Sequence, residues 1–451
     1  MTRGGSGGGG PPARPLVASL WERRGERRVG ERLAAIVLAA GRSKRMRSDT
    51  PKVLHGVLGL PLVEHVVLAA EAAGAERIVV VVAPDQTGPI GEALQAHDRV
   101  AIAVQQEPRG TGHAVAAARD ALAGFQGVAL VLVGDAPCIT PSALERLLQH
   151  RRERAAPVAV LSAELPDPTG YGRIVRGPDG DLAAIVEEKD ASEHVKALRE
   201  VSSGVFALEL PRALGWLERL TPSAASGELY LTQVVELARL EGARTTAVAA
   251  AAPEECLGVN DRAQLAEVTQ VIRRRVVARH LANGVTIVDP ETAWIDARAE
   301  IEQDARIEPF CVISGPCRIE RGAVVGPFAH LRAARLGPRA RVGCFVEAVR
   351  SELGADARAL HLAYLGDATL GEGVNAGAGT ITANWDGAKH HPTRVGDGVQ
   401  LGAGTVLIAP AEVGAGARTG AGAVVTAGRP VPPGATWVGV PAHPLEKGAA
   451  R

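Results

Sequence analysis

The sequence is poor in aromatic residues, in paired cysteines and in long apolar runs, and neither sign of charge predominates. Only 3% of its 451 residues are aromatic, which suits a core of thin aliphatic layers. Its 5 cysteines show no CxxC pair and no even framework, so they fit a reducing cytoplasm better than a disulfide scaffold or a zinc site. Lys plus Arg and Asp plus Glu number 50 each, so bulk charge predicts neither a nucleic-acid partner nor a membrane-surface partner. No apolar run approaches the roughly 18 residues that span a bilayer, so we expect no membrane insertion.

A hexapeptide repeat of aliphatic residues runs through the last third of the chain. A repeat this short is typical of a parallel β-helix, in which each hexad forms one short face and its repeat residue points inward. A Gly/Ala-rich loop region is the alternative, but a disordered chain would not keep one aliphatic phase over so many hexads. The repeat positions are Ile295, Ile301, Ile307, Ile313, Ile319, Val325 and Leu331, then, after slips of phase, Leu336, Val342, Leu353, Leu365, Leu370 and Ala376, and finally Val395, Leu401, Leu407, Val413, Thr419 and Val425.

Alternating strands and helices are predicted between the N-terminal tail and the repeat. Strand, helix and strand in this order imply parallel pairing through right-handed crossovers, and hence a doubly wound α/β sheet. In such sheets ligands bind beyond the carboxyl ends of the strands, where Ala39-Ala40-Gly41 and Gly134-Asp135 would lie. The predicted elements are strands at 35–38, 77–82 and 128–133 and a helix at 62–73.

The composition changes along the chain and predicts its domain organisation. Residues 1–32 are rich in Gly, Pro and Arg and are expected to form a disordered, solvated tail. The remaining segments are an α/β domain at 33–261, an amphipathic linker helix at 262–282, a β-helix domain at 283–445 and a short tail at 446–451.

A basic loop after the first strand could bind phosphate groups. Gly41 allows close backbone approach, and Arg42, Lys44, Arg45 and Lys52 add positive charge. The loop has neither the GxxxxGK[ST] spacing of a P-loop nor the GxGxxG of a dinucleotide fold. Taken alone, it could as readily be a solvated surface.

Asp135 adds a second chemical signal at the same edge of the sheet. A carboxylate at the tip of an apolar strand is suited to hold Mg²⁺, which takes few protein ligands and keeps water and phosphate oxygens. The alternative role is a helix N-cap near Pro141, although Thr140 serves that purpose better. The sequence therefore predicts a site where a polyphosphate and a divalent cation meet.

Together these motifs resemble the signature of sugar-1-phosphate nucleotidyltransferases. With the hexapeptide repeat behind them, the chain resembles the bifunctional N-acetylglucosamine-1-phosphate uridyltransferase/glucosamine-1-phosphate acetyltransferase family, the GlmU type, over about residues 34–441. The resemblance implies a left-handed β-helix and two transferase activities that supply UDP-N-acetylglucosamine for cell-wall and lipopolysaccharide synthesis. The matching motifs are Leu38-Ala39-Ala40-Gly41, Arg45-Met46, Pro51-Lys52-Val53-Leu54, Gln105, Gly110-Thr111-Gly112-His113-Ala114, Gly134-Asp135, Gly170-Tyr171-Gly172-Arg173-Ile174, Ile185-Val186-Glu187, Lys189-Asp190 and Gly258-Val259-Asn260-Asp261-Arg262.

For uridylyl transfer, the resemblance implies a site that binds UTP, N-acetylglucosamine-1-phosphate and Mg²⁺. Asp135 and Asn260 would ligate the metal. Arg45 and Lys52 would bind phosphates and stabilise charge as the sugar phosphate attacks the α-phosphorus of UTP, with no protein nucleophile. The nucleotide and the sugar would be held by Leu38, Ala39, Ala40, Gly41, Lys52, Gln105, Gly110, Thr111, Gly134, Gly172, Glu187, Ser202 and Asn260.

A second set of matching motifs, His361 to Asp367 and Asn375 to Gly387, includes a break in the hexad repeat. Such an excursion from a solenoid usually builds a functional face. By resemblance, His361 is the general base that helps the amine of glucosamine-1-phosphate attack the thioester of acetyl-CoA, although a histidine among aliphatic residues is by itself more often structural. The sugar phosphate would be bound by Arg332, Tyr364 and Asn375, and acetyl-CoA by Ala378, Asn384, Trp385, Ala403 and Ala421.

Several positions depart from the family pattern, most of them in the β-helix. Val349 stands where the family has a lysine for the sugar phosphate, and the neighbouring Arg350 would point to the opposite face of a strand. The other departures are Ser43 for glycine, Lys44 for threonine, Val133 for tyrosine, Ser202 for a sugar-contacting asparagine, Ala403 for a coenzyme-binding serine and Gly439 for arginine.

These departures leave two other interpretations open. In one, the chain is a sugar-1-phosphate nucleotidyltransferase whose β-helix is a non-catalytic trimerisation or effector module. In the other, the whole chain is a regulatory or structural trimer that binds nucleotide without turnover. The resemblance also implies a homotrimer with active sites between subunits, whereas the sequence itself indicates only that closed symmetry is expected.

Overall fold

The computed structural model describes residues 31–41 and 44–445. The predictions for the two tails therefore fall almost wholly outside the described residues, as do Arg42 and Ser43 of the basic loop. The chain divides into two compact units with a boundary between Val271 and Ile272. Among the described residues, no helix has both the length and the apolar character that crossing a membrane requires.

The first unit is built around one nine-stranded sheet of mixed direction. The order along the sheet is β11-β7-β10-β6-β1-β4-β5, and a β8-β9 hairpin joins it beside β10. The strands of the unit are β1 (Leu33–Leu38), β2 (Gly56–Val57), β3 (Leu60–Pro61), β4 (Arg77–Val82), β5 (Val100–Val104), β6 (Val128–Val133), β7 (Val158–Glu164), β8 (Arg173–Arg176), β9 (Leu182–Val186), β10 (Glu200–Glu209) and β11 (Thr245–Ala249).

Helices cover both faces of this sheet. The helices of the unit are α1 (Leu62–Ala72), α2 (Thr87–Ala93), α3 (Thr111–Ala117), α4 (Pro141–Glu153), α5 (Glu193–Lys196), α6 (Leu210–Leu217) and α7 (Gln233–Leu240), with short 3₁₀ turns at Lys44–Met46, Lys52–Leu54, Pro84–Gln86, Asp120–Leu122 and Pro253–Cys256. The boundary between the two units falls within α8 (Arg262–Ala282). Thr140 caps α4, because its side-chain oxygen accepts a hydrogen bond from the amide of Ala143. This capping role for Thr140 leaves Asp135 available for the cleft.

Strand β1 shows why the core strands read as unbroken apolar runs. Ala35 and Val37 pack into one apolar core, whereas Ala34 and Ile36 pack into the other on the opposite face. Because successive side chains of a strand alternate, a strand covered on both faces needs no polar position. The pairs β1-β4, β1-β6 and β4-β5 are parallel, as the doubly wound pattern predicts.

Strand β10 is the feature of this sheet that the predicted pattern did not contain. It lies between β6 and β7 and runs antiparallel to both. Its register with β7 shifts between Ser202 and Phe206, which leaves an irregular stretch beside the cleft. The sheet is therefore doubly wound with one reversed strand.

The second unit is a parallel β-helix whose coils form three sheets. Sheet I contains β12 (Thr286–Ile287), β15 (Arg306–Ile307), β18 (Val324–Val325), β21 (Arg341–Cys344), β24 (Arg358–His361), β27 (Asn375–Ala376), β30 (Gln400–Leu401), β33 (Arg418–Thr419), β35 (Thr436–Val438) and the antiparallel β36 (His443–Pro444). Sheet II contains β13 (Trp294–Ile295), β16 (Val312–Ser314), β19 (His330–Arg332), β22 (Glu347–Val349), β25 (Tyr364–Gly366), β28 (Ile381–Ala383), β31 (Val406–Ile408) and β34 (Val424–Val425). Sheet III contains β14 (Glu300–Ile301), β17 (Arg318–Ile319), β20 (Arg335–Leu336), β23 (Glu352–Leu353), β26 (Ala368–Leu370), β29 (Thr393–Val395) and β32 (Ala411–Val413).

The hexad positions form the interior of this β-helix. All of the repeat residues named above are buried, from Ile295 to Val425. They also stack in register, as Ile307 on Val325 and Val325 on Val342 show in sheet I. The β-helix predicted from the repeat is confirmed.

Candidate active sites

A cleft of about 900 Å³ opens at the carboxyl ends of β1, β4, β5 and β6. Parallel strands end together at this edge, so the loops after them converge on one volume. The predicted nucleotide and sugar residues that line it are Leu38, Ala39, Ala40, Gly41, Lys52, Gln105, Gly110, Thr111, Asp135, Gly172, Glu187 and Ser202.

Three other predicted residues are not part of this lining. Gly134 follows β6, and a β-carbon there would come within 2.9 Å of the carbonyl oxygen of Leu38, so only glycine fits this close approach. Asn260 reaches the cleft through Lys52, as described next. Arg45 is exposed in the short turn Lys44–Met46.

Lys52, which lines the cleft, is held between two side-chain oxygens that accept from its ammonium. Its ammonium forms an ion pair with Asp135 and donates a hydrogen bond of 3.3 Å to Oδ1 of Asn260. The side chains of Lys52 and Asp135 are only 10% and 13% exposed, so little water screens this pair. The backbone oxygen of Asp135 also accepts the amide of Val259 at 2.9 Å, which fixes the Asn260 segment beside it.

The loop from Gln105 to Thr111 lines the part of the cleft where the nucleotide is predicted to bind. Nε2 of Gln105 donates a hydrogen bond of 3.1 Å to the carbonyl of Gly110, and Oγ1 of Thr111 accepts the amide of Leu231 at 3.0 Å. Gly110 has φ +108°, and a β-carbon there would lie 2.6 Å from the carbonyl oxygen of Leu229. The loop therefore depends on glycine both for its conformation and for its packing.

Glu187 forms the opposite wall with groups from distant parts of the chain. Its Oε1 accepts a hydrogen bond of 3.1 Å from Thr232, and a β-carbon at Gly172 would lie 3.4 Å from its Oε2. Burial raises the pKa of Glu187, although the bond from Thr232 opposes that rise. The carbonyl of Gly172 accepts the amide of Ser202 at 2.8 Å, which brings the hairpin and β10 together.

The sequence missed several residues of the cleft. Asp85 follows β4, Tyr171 lies between the two predicted glycines of its motif, and Glu228, Leu231 and Thr232 precede α7. Asp85 could have been found from its place after an apolar strand. The segment before α7 carries no such local signal, and only the fold brings it to Glu187. Burial raises the pKa of the Tyr171 phenol.

In the β-helix, His361 lies at the corner where sheet I passes into sheet II. It ends β24, is exposed, and accepts the amide of Gly379 at 3.1 Å through its backbone carbonyl. The same corner in later coils carries Ala378, Ala403 and Ala421, all exposed. Hydrogen bonds from Gly404 to Ala378 and from Gly422 to Ala403, each 2.7 Å, continue the stack. The predicted base and these predicted coenzyme contacts therefore share one corner.

Tyr364 and Asn384 meet above Gly366 on sheet II. A β-carbon at Gly366 would lie 2.5 Å from Nδ2 of Asn384 and 2.7 Å from the hydroxyl of Tyr364. The Asn384 amide donates to the carboxylate of Asp367, which also accepts two hydrogen bonds from Arg350. The bonds from Arg350, joined by that from Asn384, lower the pKa of Asp367.

The other predicted acetyltransferase residues lie around these groups. Trp385 is 54% exposed on the excursion, where its ring lies 4.9 Å from that of His390. Arg332 is exposed on sheet II, and Asn375 lies on sheet I in register with Arg358. Arg332 and Tyr364 thus share a sheet, whereas the structure places Asn375 on a neighbouring one.

Val349, which stands where the family pattern has a lysine for the sugar phosphate, is fully buried. It stands in register with Arg332 on one side and Gly366 on the other. Arg350 is not a simple substitute for the missing lysine, because its Nε and Nη2 already donate hydrogen bonds of 2.7 and 2.8 Å to the carboxylate of Asp367. Among the three stacked positions Arg332, Val349 and Gly366, Arg332 is therefore the exposed cation.

Comparison with known proteins accounts for both units. Residues 35–201 match the model of the MobA-like NTP transferase domain, and residues 298–333 and 392–427 match that of the bacterial transferase hexapeptide (six repeats). The hexapeptide match agrees with a left-handed parallel β-helix. A solved structure of UDP-glucose pyrophosphorylase complexed with UDP-glucose covers 49% of this chain and 90% of its own, but its TM-score of 0.41 and identity of 19% are too low to argue from.

Two curated relatives match across both units. The "Bifunctional protein GlmU" of Pelobacter propionicus is 41% identical over 415 residues, covering 84% of this chain and 90% of the relative. The protein of the same name from Corynebacterium glutamicum is 42% identical over 415 residues, covering 84% of this chain and 86% of the relative. With this identity and coverage across both of its units, the chain belongs to the GlmU family of bifunctional proteins.

Proposed function

We propose that this chain makes UDP-N-acetylglucosamine in two successive reactions. The β-helix transfers the acetyl group of acetyl-CoA to glucosamine-1-phosphate. The cleft of the first unit then transfers uridylyl from UTP to the N-acetylated sugar phosphate and releases pyrophosphate. The observation that carries the proposal is the separation of two sets of groups: a cleft with Lys52 and Asp135 in one unit and an exposed histidine corner in the other.

Uridylyl transfer needs charge stabilisation and alignment more than it needs a nucleophile from the protein. A phosphate oxygen of the sugar phosphate attacks the α-phosphorus of UTP, and pyrophosphate leaves from the opposite side. Lys52 stabilises the negative charge that develops on the phosphates, because it lies in a poorly screened cleft. Arg45, exposed on the adjoining turn, binds the outer phosphates.

The cleft walls orient the two substrates. Gln105, Gly110 and Thr111 hold the uridine end, where their loop is fixed by hydrogen bonds. Gly172 leaves room for the sugar beside the Glu187 carboxylate, and Thr232 holds that carboxylate in place. Ser202 lies on the same wall, where it replaces the longer amide of the family pattern. The sugar would therefore lie between the hairpin and the segment before α7.

Asp135 and Asn260 fit a Mg²⁺ ion. Their side-chain oxygens converge on one position, because both contact the single ammonium of Lys52, a cation that stands in for the metal. Such hard oxygen donors suit Mg²⁺, which would help to neutralise the negative charge of the leaving pyrophosphate. Within residues 31–41 and 44–445, no group of three or more His, Cys, Asp or Glu could hold a metal, so substrate oxygens and water would complete the shell.

Acetyl transfer is assigned to the corner of the β-helix. His361 takes the proton of the attacking amine, and the backbone at Ala378 faces the thioester oxygen. Arg332, Tyr364 and Asn375 bind the sugar phosphate, while Asn384, Trp385, Ala403 and Ala421 line the coenzyme track. We also propose a homotrimer, since Asn375 lies on a different sheet from Arg332 and Tyr364 and a neighbouring subunit would complete the site.

A second candidate function has its own support. Val349 is buried, and Arg350 is occupied by Asp367, so one charge expected at the sugar phosphate is missing. Losing one charge-assisted contact costs about 1.5–3 kcal/mol. The β-helix would then be a non-catalytic assembly or effector module beside an active nucleotidyltransferase.

Two single variants test the division of labour. Asp135→Asn should abolish pyrophosphate release from UTP and N-acetylglucosamine-1-phosphate while leaving acetyl transfer intact. His361→Ala should do the reverse, measured as thiol release from acetyl-CoA that depends on glucosamine-1-phosphate. Loss of both activities in either folded variant would contradict two independent sites.

The wild-type protein distinguishes the two candidate functions directly. Sugar-dependent thiol release supports the bifunctional enzyme. A folded protein that forms UDP-N-acetylglucosamine but releases no thiol supports the second candidate.

A further inference from the structure

The corner that carries His361 changes character along the β-helix axis. On one side of His361 it presents only pairs of small residues, which we call the smooth track: Ala378-Gly379, Ala403-Gly404 and Ala421-Gly422. On the other side it presents large apolar side chains, which we call the apolar ridge: Phe310, Phe328, Phe345 and Leu362. Hydrogen bonds between successive corners, such as Gly379 to His361 at 3.1 Å and Leu362 to Cys344 at 3.0 Å, make these one continuous stack.

The ridge is exposed despite its apolar composition. Its four side chains are 53%, 46%, 59% and 64% exposed in chain order. The three phenyl rings stack at centroid distances of 5.0 and 5.2 Å, which aligns them along the corner. The stacking accounts for the three phenylalanines. Leu362, the most exposed of the four, lies outside the ring stack and next to His361.

The backbone of Leu362 adds a second observation. Its φ is +52°, in the left-handed region that disfavours residues with a side chain. The corresponding positions in the next coils are the glycines Gly379, Gly404 and Gly422, which have φ between +68° and +73°. Phe310, Phe328 and Phe345 share this conformation, with φ between +53° and +59°. Leu362 is therefore the last bulky residue at this corner before glycine takes the position, and it lies beside the candidate base.

We propose that Leu362 ends the coenzyme track and thereby limits the acyl group to two carbons. This inference rests on the proposed acetyltransferase function. Adjacent coils lie about 4.8 Å apart, so the smooth track gives an extended pantetheine arm about 10 Å of corner that carries no side chain larger than a methyl group and leads to His361. The thioester carbon then lies beside His361, and the methyl of an acetyl group meets Leu362. A longer acyl chain would overlap that side chain.

The test compares acyl donors in the full-length protein. Glucosamine-1-phosphate-dependent thiol release is measured with acetyl-CoA, propionyl-CoA and butyryl-CoA, and kcat/KM is taken for each. Leu362→Gly suits the left-handed backbone, so it should fold. It should raise kcat/KM for butyryl-CoA relative to acetyl-CoA by about 10-fold or more, since one methylene is worth about 10- to 200-fold in a shaped pocket. Leu362→Ala, which removes the bulk without adding backbone freedom, should change the ratio in the same direction.

Phe328→Ala is the matched control, because it removes a ridge side chain two coils away from the track's end. It should leave the acyl ratio unchanged. A Leu362→Gly ratio within about twofold of wild type, or equal shifts in both variants, would overturn the inference, as would loss of acetyl transfer in both folded Leu362 variants. A wild-type protein without sugar-dependent thiol release would instead remove the proposed acetyltransferase, and this inference with it.

Discussion

Gly366→Ala should strongly reduce acetyl transfer, because its methyl group would displace the side chains of Tyr364 and Asn384. The glycine lies in strand β25, and its added methyl would be 2.5 Å from Nδ2 of Asn384 and 2.7 Å from the Tyr364 hydroxyl. Ordinary contact is about 3.5 Å, so both groups must move by about 1 Å. Misplacement by that distance can cost about 100-fold in rate, which corresponds to about 2.7 kcal/mol of transition-state stabilisation.

The assay measures the two half-reactions of one protein preparation. We expect kcat/KM for sugar-dependent thiol release to fall about 100-fold, and pyrophosphate release from UTP to stay unchanged because its cleft lies in the other unit. Gly373→Ala is the control: it adds the same methyl into open space at φ +63°, so it strains the β-helix backbone without touching Tyr364 or Asn384. Full acetyl transfer in folded Gly366→Ala would refute the assignment of these two groups to the site.

Two further predictions concern the first unit. Burial lowers the pKa of His97, but hydrogen bonds and charges from Glu64 and Glu71 outweigh it and raise that pKa to about 9. The resulting stabilisation, at most about 3 kcal/mol, is complete below about pH 6.5 and disappears as the pH rises through 9, so His97→Gln should lower the denaturation midpoint at pH 6 far more than at pH 10. A pH-independent difference would contradict this coupling. Gly110→Ala should reduce both uridylyl transfer and stability, because its methyl meets the backbone of Leu229. Acetyl transfer should persist. Unchanged uridylyl kinetics would show that the loop tolerates the methyl.

The β-helix could be predicted from sequence because its packing is local and periodic. Each repeat residue, such as Ile307 or Val342, is buried by the residues stacked directly on it, so burial follows a fixed phase. The apolar strands of the first unit could also be predicted from local sequence, because their alternate residues face two cores and every position is apolar. The position and direction of strand β10 could not be predicted in this way. They depend on its pairing with strands that are distant in the sequence.

The candidate sites divide in the same way. Residues at strand ends, such as Gly41 and Asp135, could be placed because strand ends converge. Thr232 could not, because its contact with Glu187 joins segments 45 residues apart. The contact between Arg350 and Asp367 could not be predicted either. The two residues are 17 apart, and they meet because one coil of the β-helix at that point contains 17 residues. The individual roles of these residues stay predictions until the variants are measured.

In the β-helix, each further coil of the chain advances the structure by one coil spacing along the β-helix axis. Ala403 and Ala421 are 18 residues apart and lie one step, about 4.8 Å, from each other. Coils of 17 residues, such as those that stack Leu331, Ala348 and Leu365, keep their repeat residues buried just as coils of 18 do, so a one-residue difference is taken up between the faces. Inserting a whole coil would instead lengthen the corner by one step and keep all side chains on their faces. The length of the proposed coenzyme track can therefore change only by whole coil spacings. The exception is an insertion that loops outward from the β-helix, as residues Asn384–His391 do.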